Sequence, residues 1–355
     1  MSKLILIINP GSSSSKISVF EGEKEIFKYK INHRYEEIIN CNNVFDQYDF
    51  RKQALLNCLE KEGFDLKIFS AICSRGGMLR PLESGIYLVN EKMVSELKEG
   101  KYGEHASNLG AILAYDLANE LNIPAFIVDP VSVDEMEDIA RISGMPLIER
   151  KSFFHALNQK AIARKVSEDK GCQYRDLNLI IVHLGSGISV GIHKDGRVID
   201  VNDSREGDGP MAPERSGSVP VGQLYRLCFS GKHSLEEITR MNHGSGGLFA
   251  YLGTNDALEV IRRIEQGDRK AKLIYDAMIY QIAKEIGAAS TVLMGRLDAI
   301  VLTGGLAYEN YLIKELKKRV EFLGEILIYP GENEMLSLVQ GALRALSGLE
   351  NIKEY

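Results

Sequence analysis

Three short turns rich in glycine and serine carry the residues best suited to holding an anion. The first, Asn9-Pro-Gly-Ser-Ser-Ser-Ser-Lys16, gathers backbone N–H groups, hydroxyls and one ammonium in a single loop. It is not a P-loop, which needs a second glycine before the lysine, a Ser or Thr after it, and then a helix. Here Ile17-Ser-Val-Phe follows and reads as a strand, so the turn is expected to be a hairpin tip. Its N–H groups and hydroxyls could point at an anion; a polar surface hairpin is the plain alternative. The second turn is His183-Leu-Gly-Ser-Gly187. Its glycines let backbone approach a ligand closely. His183 ends a strand and could donate a hydrogen bond, or could be a core histidine bonded to backbone. The third, Thr303-Gly-Gly305, follows an apolar strand and precedes a helix, and open α/β sheets bind ligands at the carboxyl ends of their strands. A tight strand-to-helix turn would look the same.

Alternating strand and helix signals position these turns. Leu4–Asn9, Ile17–Glu21 and Glu25–Lys30 read as strands, as do Ala125–Val128, Leu179–His183 and Ala299–Thr303. Helical stripes run over Ala111–Leu121 (ended by Asn122 and Pro124), Ala271–Met294, Tyr311–Leu323 and Met335–Leu346. The mixture predicts α/β layering. A weak internal repeat adds to this. Leu4-Ile-Leu-Ile-Ile-Asn-Pro-Gly-Ser followed by Ile17-Ser-Val matches Leu179-Ile-Ile-Val-His-Leu-Gly-Ser-Gly followed by Ile188-Ser-Val. Ala71-Ile-Cys-Ser-Arg-Gly-Gly matches Ala299-Ile-Val-Leu-Thr-Gly-Gly. The same order in both halves predicts two copies of one α/β unit facing each other across a cleft. Gly207–Pro220 is long and aperiodic, which hints at function.

The chain has 355 residues, enough for two cores. A net charge of −6 argues against a nucleic-acid partner, which needs a basic face. Five scattered cysteines, Cys41, Cys58, Cys73, Cys172 and Cys228, show no metal spacing and read as reduced thiols. The N-terminal apolar run, Leu4–Ile8, is too short for a signal sequence or membrane span. A cytoplasmic protein without a membrane partner is expected.

The turns, in this order, resemble those of the acetate and butyrate kinases, members of the actin-like sugar-kinase and heat-shock ATPase superfamily. The resemblance spans essentially the whole chain. It rests on NPGSSSSK (9–16), SRGGML (74–79), EHASNL (104–109), VDPVSVDEM (128–136), RKSFFH (150–155), HLGSGISV (183–190), PERSGSVPVG (213–222), LTGGLAYEN (302–310) and GENEM (331–335). SRGGM, HASNL and PERSGS are closer to butyrate kinases. The resemblance implies two duplicated ribonuclease H-like domains, 1–130 plus 333–355 and 131–332, with mixed sheets flanked by helices and an ATP cleft between them. It also implies ATP/ADP and Mg²⁺, a short-chain fatty acid substrate, and a homodimer or higher homo-oligomer.

Carried over position by position, Asn9, Ser12 and Lys16 resemble the hairpin touching the transferred phosphoryl, and Arg75 the arginine gripping the substrate carboxylate. His105 and Asn108 correspond to the substrate side. Asp129 is similar to the essential aspartate near magnesium, and Glu334 to the acid linked to it. His155 and His183 match active-site histidines, and Arg215 the arginine that stabilises the phosphoryl in flight. Gly185, Ser186, Gly187, Asp256, Gly304 and Gly305 fall on the nucleotide side. Two departures stand out: Ser186 replaces a usual Asn, and Leu258 replaces an arginine of acetate kinases.

A carboxylic acid with pKa about 4 to 5 is ionised at neutral pH, so no general base is needed. The obstacle is an anion attacking a polyanion, and positioning plus charge neutralisation answers it. Gly77 stands where acetate kinases carry a bulky apolar residue, so a larger acyl pocket and preference for butyrate or isobutyrate are expected. Acetate or propionate kinases, and an actin-like or chaperone-like ATPase, are the alternatives.

Overall fold

The computed structural model describes residues 3–39 and 41–355. In chain order its strands are β1 (Leu4–Pro10), β2 (Ser14–Glu21), β3 (Lys24–Asn32), β4 (Ala71–Ser74), β5 (Ile86–Leu88) and β6 (Ala125–Val128). They continue with β7 (Leu179–Leu184), β8 (Ile188–Lys194), β9 (Arg197–Val201), β10 (Ala299–Gly304), β11 (Ile326–Pro330) and β12 (Ile352–Lys353). The chain divides into two compact units. One runs to Val133 and adds Asn333–Tyr355; the other is Asp134–Glu332. The first break falls three residues beyond the Pro130 expected from sequence. Leu82 bridges to Val133 and Ser132 Oγ accepts from Leu79 N, which ties that segment to the first unit.

Each unit is a mixed sheet with helices packed on it. In the first the strand order is β12-β5-β6-β4-β1-β2-β3, and in the second β11-β10-β7-β8-β9. β1 runs antiparallel to β2 and parallel to β4; β7 runs antiparallel to β8 and parallel to β10. Central strands must be apolar on both faces when helices cover both. That is why β4, β6, β7 and β10 are buried along their whole length. Helices Asn108–Leu121 and Glu334–Leu346 pack on β1, β4 and β6. Helix Arg269–Val292 packs on β7 and β8, and Ala156–Lys170 on β7 and β10.

The duplication is visible in the register. Ile8 lies opposite Ser74, and Val182 opposite Leu302. With Ser74 and Leu302 as equivalent positions, Asn9 corresponds to His183, Gly11 to Gly185 and Ser12 to Ser186. This shifts the repeat by one residue from a match that starts both copies at a leucine. The first hairpin has a four-residue tip between Pro10 and Ser15, the second a three-residue tip between Leu184 and Ile188. The serine run is the extra residue.

Among the described residues no helix is long and apolar enough to cross a membrane. No disulfide joins the five cysteines. Asn122 adopts φ 54° and ends the helix Asn108–Leu121 as a left-handed cap, a conformation asparagine tolerates.

Helix Glu334–Leu346 returns the end of the chain to the first sheet, and Gly341 sets how closely it docks. A Cβ at Gly341 would sit 2.5 Å from Val128 Cγ2 on β6. Gly341→Val is therefore expected to overpack this contact and cost about 1–3 kcal/mol, read as a lowered denaturant midpoint.

Candidate active site

The first hairpin tip is held from below by a residue that sequence reasoning missed. Arg51, on helix Tyr48–Lys61, is 1% exposed. Its guanidinium donates to the carbonyl oxygens of Gly11 (3.0 Å), Ser12 (3.0 Å) and Ser14 (3.4 Å), to Ser15 Oγ (3.1 Å), and to Gln47 Oε1 (2.8 and 3.1 Å). In a trans peptide the N–H points opposite to the C=O. Turning the carbonyls of Gly11 and Ser12 onto Arg51 therefore aims the N–H groups of Ser12 and Ser13 away from it. Burial pushes the Arg51 guanidinium down to about 10, and it remains a cation at neutral pH. His33 Nε2 pairs with Ser15 Oγ at 2.9 Å, and burial beside Arg51 lowers that imidazole to about 4. Ser12 and Lys16 are exposed, and Asn9 is buried.

Asn9 connects this hairpin to the next strand end. Its amide donates to Glu334 Oε2 at 2.8 Å, and Glu334 Oε1 accepts from Arg75 Nη1 at 2.7 Å. Glu334 opens the last helix at its N-terminal turn, where a carboxylate is favoured by the helix dipole. Asn9, Arg75 and Glu334 are thus one polar chain across the ends of β1 and β4. Arg75 keeps its side chain 24% exposed and has donors beyond the one used.

Asp129 is 1% exposed and has φ 39°, the left-handed region that costs a residue with a side chain. Its Oδ1 accepts from Ser84 Oγ (2.6 Å) and Gly85 N (2.8 Å), and these bonds hold it there.

Gly77 does not open a pocket. A Cβ there would meet Asn108 Oδ1 at 2.4 Å, Asn108 Cα at 2.5 Å and Leu97 Cδ2 at 2.8 Å. The room freed by losing a side chain is filled by the start of helix Asn108–Leu121. Asn108 staples the two segments, accepting from Met78 N (2.8 Å) and donating to Gly103 O (3.0 Å). His105 is exposed; its Nδ1 receives Ser107 N at 3.2 Å, at the start of the same helix. The expectation of a larger acyl pocket at Gly77 is corrected accordingly.

In the second unit two imidazoles stack. His155 and His183 have ring centroids 3.7 Å apart and planes 9° apart. His183 ends β7; His155 precedes helix Ala156–Lys170, whose first turn supplies Asn158. His183 Nδ1 lies 2.7 Å from Asn158 Oδ1. Asn158 Nδ2 donates to Glu332 O at 3.1 Å, so its oxygen must face the ring. His183 Nε2 is 3.7 Å from Glu332 Oε1.

Arg215, in the irregular 202–220 segment, lies flat on the second turn. A Cβ at Gly187 would be 2.0 Å from its Nη1. Its guanidinium donates to Ser204 O, and Glu214 N donates to Ser186 O at 3.3 Å. Burial presses Arg215 below its usual range; the neighbouring Arg205 adds to this, while Glu214 and Asp203 oppose it. Gly304, with φ 87°, passes so close to β7 that a Cβ would meet Leu184 O at 2.4 Å, whereas nothing lies within 4 Å of one on Gly305. Asp256 is exposed and caps helix Ala257–Glu265 through Leu258 N. Its hydrogen bonds do not join it to the glycine turns.

Among the described residues no three His, Cys, Asp or Glu side chains converge on a metal position. Asp129 and Glu334 carry the carboxylate oxygens that Mg²⁺ prefers, each engaged in the hydrogen bonds described above.

These features define a mixed α/β fold with a duplicated β-hairpin unit and glycine turns at its strand ends. A model of the acetokinase family matches residues 146–337, more than half of the chain. The chain belongs to the acetokinase family, whose members phosphorylate carboxylates with ATP. Solved structures share the fold. Porphyromonas gingivalis acetate kinase superposes with a TM-score of 0.81 at 18% identity, covering 98% of this chain and 100% of that one. A propionate kinase from Francisella tularensis gives 0.77 at 20% identity, covering 96% and 98%. Acetate kinase from Entamoeba histolytica gives 0.80 at 17%, covering 97% and 99%.

Gly187→Ala must displace Arg215. It is expected to lower kcat by about 10²-fold, the scale of losing one aligned donor to developing charge, with an unfolding midpoint within a few degrees of the parent. Parental kcat would contradict the placement.

Proposed function

We propose that the protein transfers the γ-phosphoryl group of ATP reversibly to the carboxylate of a short-chain fatty acid, butyrate or isobutyrate before others, giving the acyl phosphate and ADP. The observation that carries this reading is the chain Asn9–Glu334–Arg75 in a member of a carboxylate-kinase family. Glu334 fixes one edge of the Arg75 fork, and the remaining N–H groups can grip a carboxylate in parallel. Asn9, Ser12 and Lys16 face the transferred phosphoryl. His155, His183 and Arg215 donate to its oxygens as charge spreads over them, with Gly185, Ser186 and Gly187 beside them. Gly304, Gly305 and Asp256 serve the nucleoside. Asp129 and Glu334 would hold Mg²⁺, in part through water, and the ion would supply neutralisation of phosphate charge. His105 and Asn108 lie on the acyl side.

The preference for a four-carbon acid rests on the wording of SRGGM, HASNL and PERSGS, now that Gly77 leaves no extra room. An acetate or propionate kinase is the second reading, favoured by that same packing. We assign the protein to the cytoplasm and to a homo-oligomer. Helices Val221–Cys228 and Leu235–Asn242 bury none of their residues and expose Val221, Tyr225 and Leu235, as a face covered by another copy would.

Each further buried CH₂ adds about 0.8 kcal/mol, roughly fourfold in affinity. Across acids of two to five carbons, kcat/KM should therefore rise to butyrate or isobutyrate; a maximum at acetate would reject the four-carbon assignment. Arg75→Ala and Arg215→Ala should each lower kcat/KM by about 10³-fold. ADP release indifferent to any acid would support an actin-like ATPase instead.

A further inference from the structure

A line of polar side chains, buried in its middle and half-buried at its ends, runs from Tyr174 to His155. Tyr174 OH is 2.7 Å from His193 Nδ1, and His193 Nε2 is 3.0 Å from Gln159 Oε1. Gln159 Nε2 is 2.9 Å from Ser189 Oγ and 3.2 Å from Ser189 O. Ser189 Oγ is 2.9 Å from His155 Nδ1. Gln159, Ser189 and His193 are fully buried. The line is built in: a Cβ at Gly191 would stand 2.1 Å from Gln159 Oε1, so a glycine opposite is what admits the glutamine.

The direction of every hydrogen bond follows from chemistry. Ser189 O is a carbonyl and only accepts, so the amide nitrogen of Gln159 must face it and the amide oxygen must face His193. That oxygen only accepts, so His193 carries its proton on Nε2. Burial, with Lys160 nearby, holds His193 neutral, leaving Nδ1 to accept from the Tyr174 hydroxyl. Ser189 Oγ accepts from Gln159, and its own proton needs an acceptor. His155 Nδ1 is the acceptor in reach; were that nitrogen protonated, a fully buried hydroxyl hydrogen would lose its partner, costing about 1–3 kcal/mol. The neighbouring ring is fixed the other way, because Asn158 Oδ1 requires the proton of His183 on Nδ1.

We infer that Gln159 and Ser189 are positioning residues that lock His155 as the Nε2–H tautomer, opposite to the Nδ1–H tautomer that Asn158 imposes on the stacked His183. His155 then presents an N–H donor from its outer nitrogen, and the other ring presents Nε2 as a lone pair or, once protonated, as a cation beside Glu332. The inference rests on the proposed role of His155 in phosphoryl transfer for its catalytic consequence, but not for the tautomers themselves.

The test is long-range ¹H–¹⁵N correlation on the ¹⁵N-histidine-labelled full chain without ligands. His155 is assigned by the signal missing in His155→Gln, and turnover with ATP and butyrate is measured alongside. The parent should show His155 protonated on Nε2. Ser189→Ala should give a mixture of tautomers and lower kcat about 10-fold, with the acid KM within twofold. Gln159→Glu replaces a donor by an acceptor, turns the Ser189 hydroxyl round, and should move the proton to Nδ1 with a loss of about 10²-fold in kcat. Tyr174→Phe, at the far end, should leave the His155 tautomer as in the parent. His155 protonated on Nδ1 in the parent, or an unchanged tautomer in Ser189→Ala, overturns the inference; a changed tautomer with parental kcat overturns its link to catalysis. Absence of acid-dependent turnover in the parent would overturn the proposed function instead, and the ligand-free spectra would still decide the relay.

Discussion

An irregular turn at the end of a buried strand exposes backbone polar groups, and every one of them must be satisfied without spending the donors needed for a ligand. The two hairpin units meet this constraint in different ways. In the first, one buried guanidinium gathers the carbonyls of Gly11, Ser12 and Ser14, which aims the N–H groups of Ser12 and Ser13 away from it, while Gly11 N donates to Ser14 O within the hairpin. In the second, Glu214 N donates to the carbonyl of Ser186, while neutral amides fix the strand ends beside the turn: Asn158 holds the His183 ring, and Gln159 reaches the backbone and hydroxyl of Ser189. The equivalence of Asn9 and His183 in the duplicated register places a polar side chain at the same point of each copy.

This arrangement suits a reaction whose difficulty is electrostatic. The nucleophile is already ionised, so the protein's task is to bring negative groups together and neutralise them. The chain as a whole is acidic, with a net charge of −6, and its cations must therefore act locally. They do so in two manners. Arg75 is balanced by Glu334 at 2.7 Å, which orients it at small electrostatic cost. Arg215 is largely desolvated, with Arg205 on one hand and the carboxylates of Glu214 and Asp203 on the other acting on it.

Much of the fold was legible in the sequence. Leu4–Asn9, Leu179–His183 and Ala299–Thr303 are apolar runs bounded by turn residues, and buried strands leave that pattern whatever they pack against. Helix Ala111–Leu121 was signalled by its stripe and its Asn122 stop, although its first turn, from Asn108, was not: Asn108 is spent on Met78 and Gly103 rather than on the stripe. The supporting layer left no signal. Arg51 lies about 40 positions from the carbonyls it holds, and Gln159 30 positions from Ser189, so nothing local marks either. Gly77 was misread for a related reason. A glycine says that a side chain is missing, whereas what fills its place is settled by tertiary packing, here by Asn108 and Leu97.

The central claim, transfer to a carboxylate, is tested most directly by looking for the product bond. The purified protein is incubated with ATP, Mg²⁺ and butyrate, and the mixture is followed by ³¹P NMR with hydroxylamine trapping of a parallel sample. The account predicts an acyl phosphate resonance growing with ADP, and a hydroxamate in equal amount. ATP consumed to inorganic phosphate at the same rate with or without butyrate, acetate or propionate, and no hydroxamate from any of them, would contradict it.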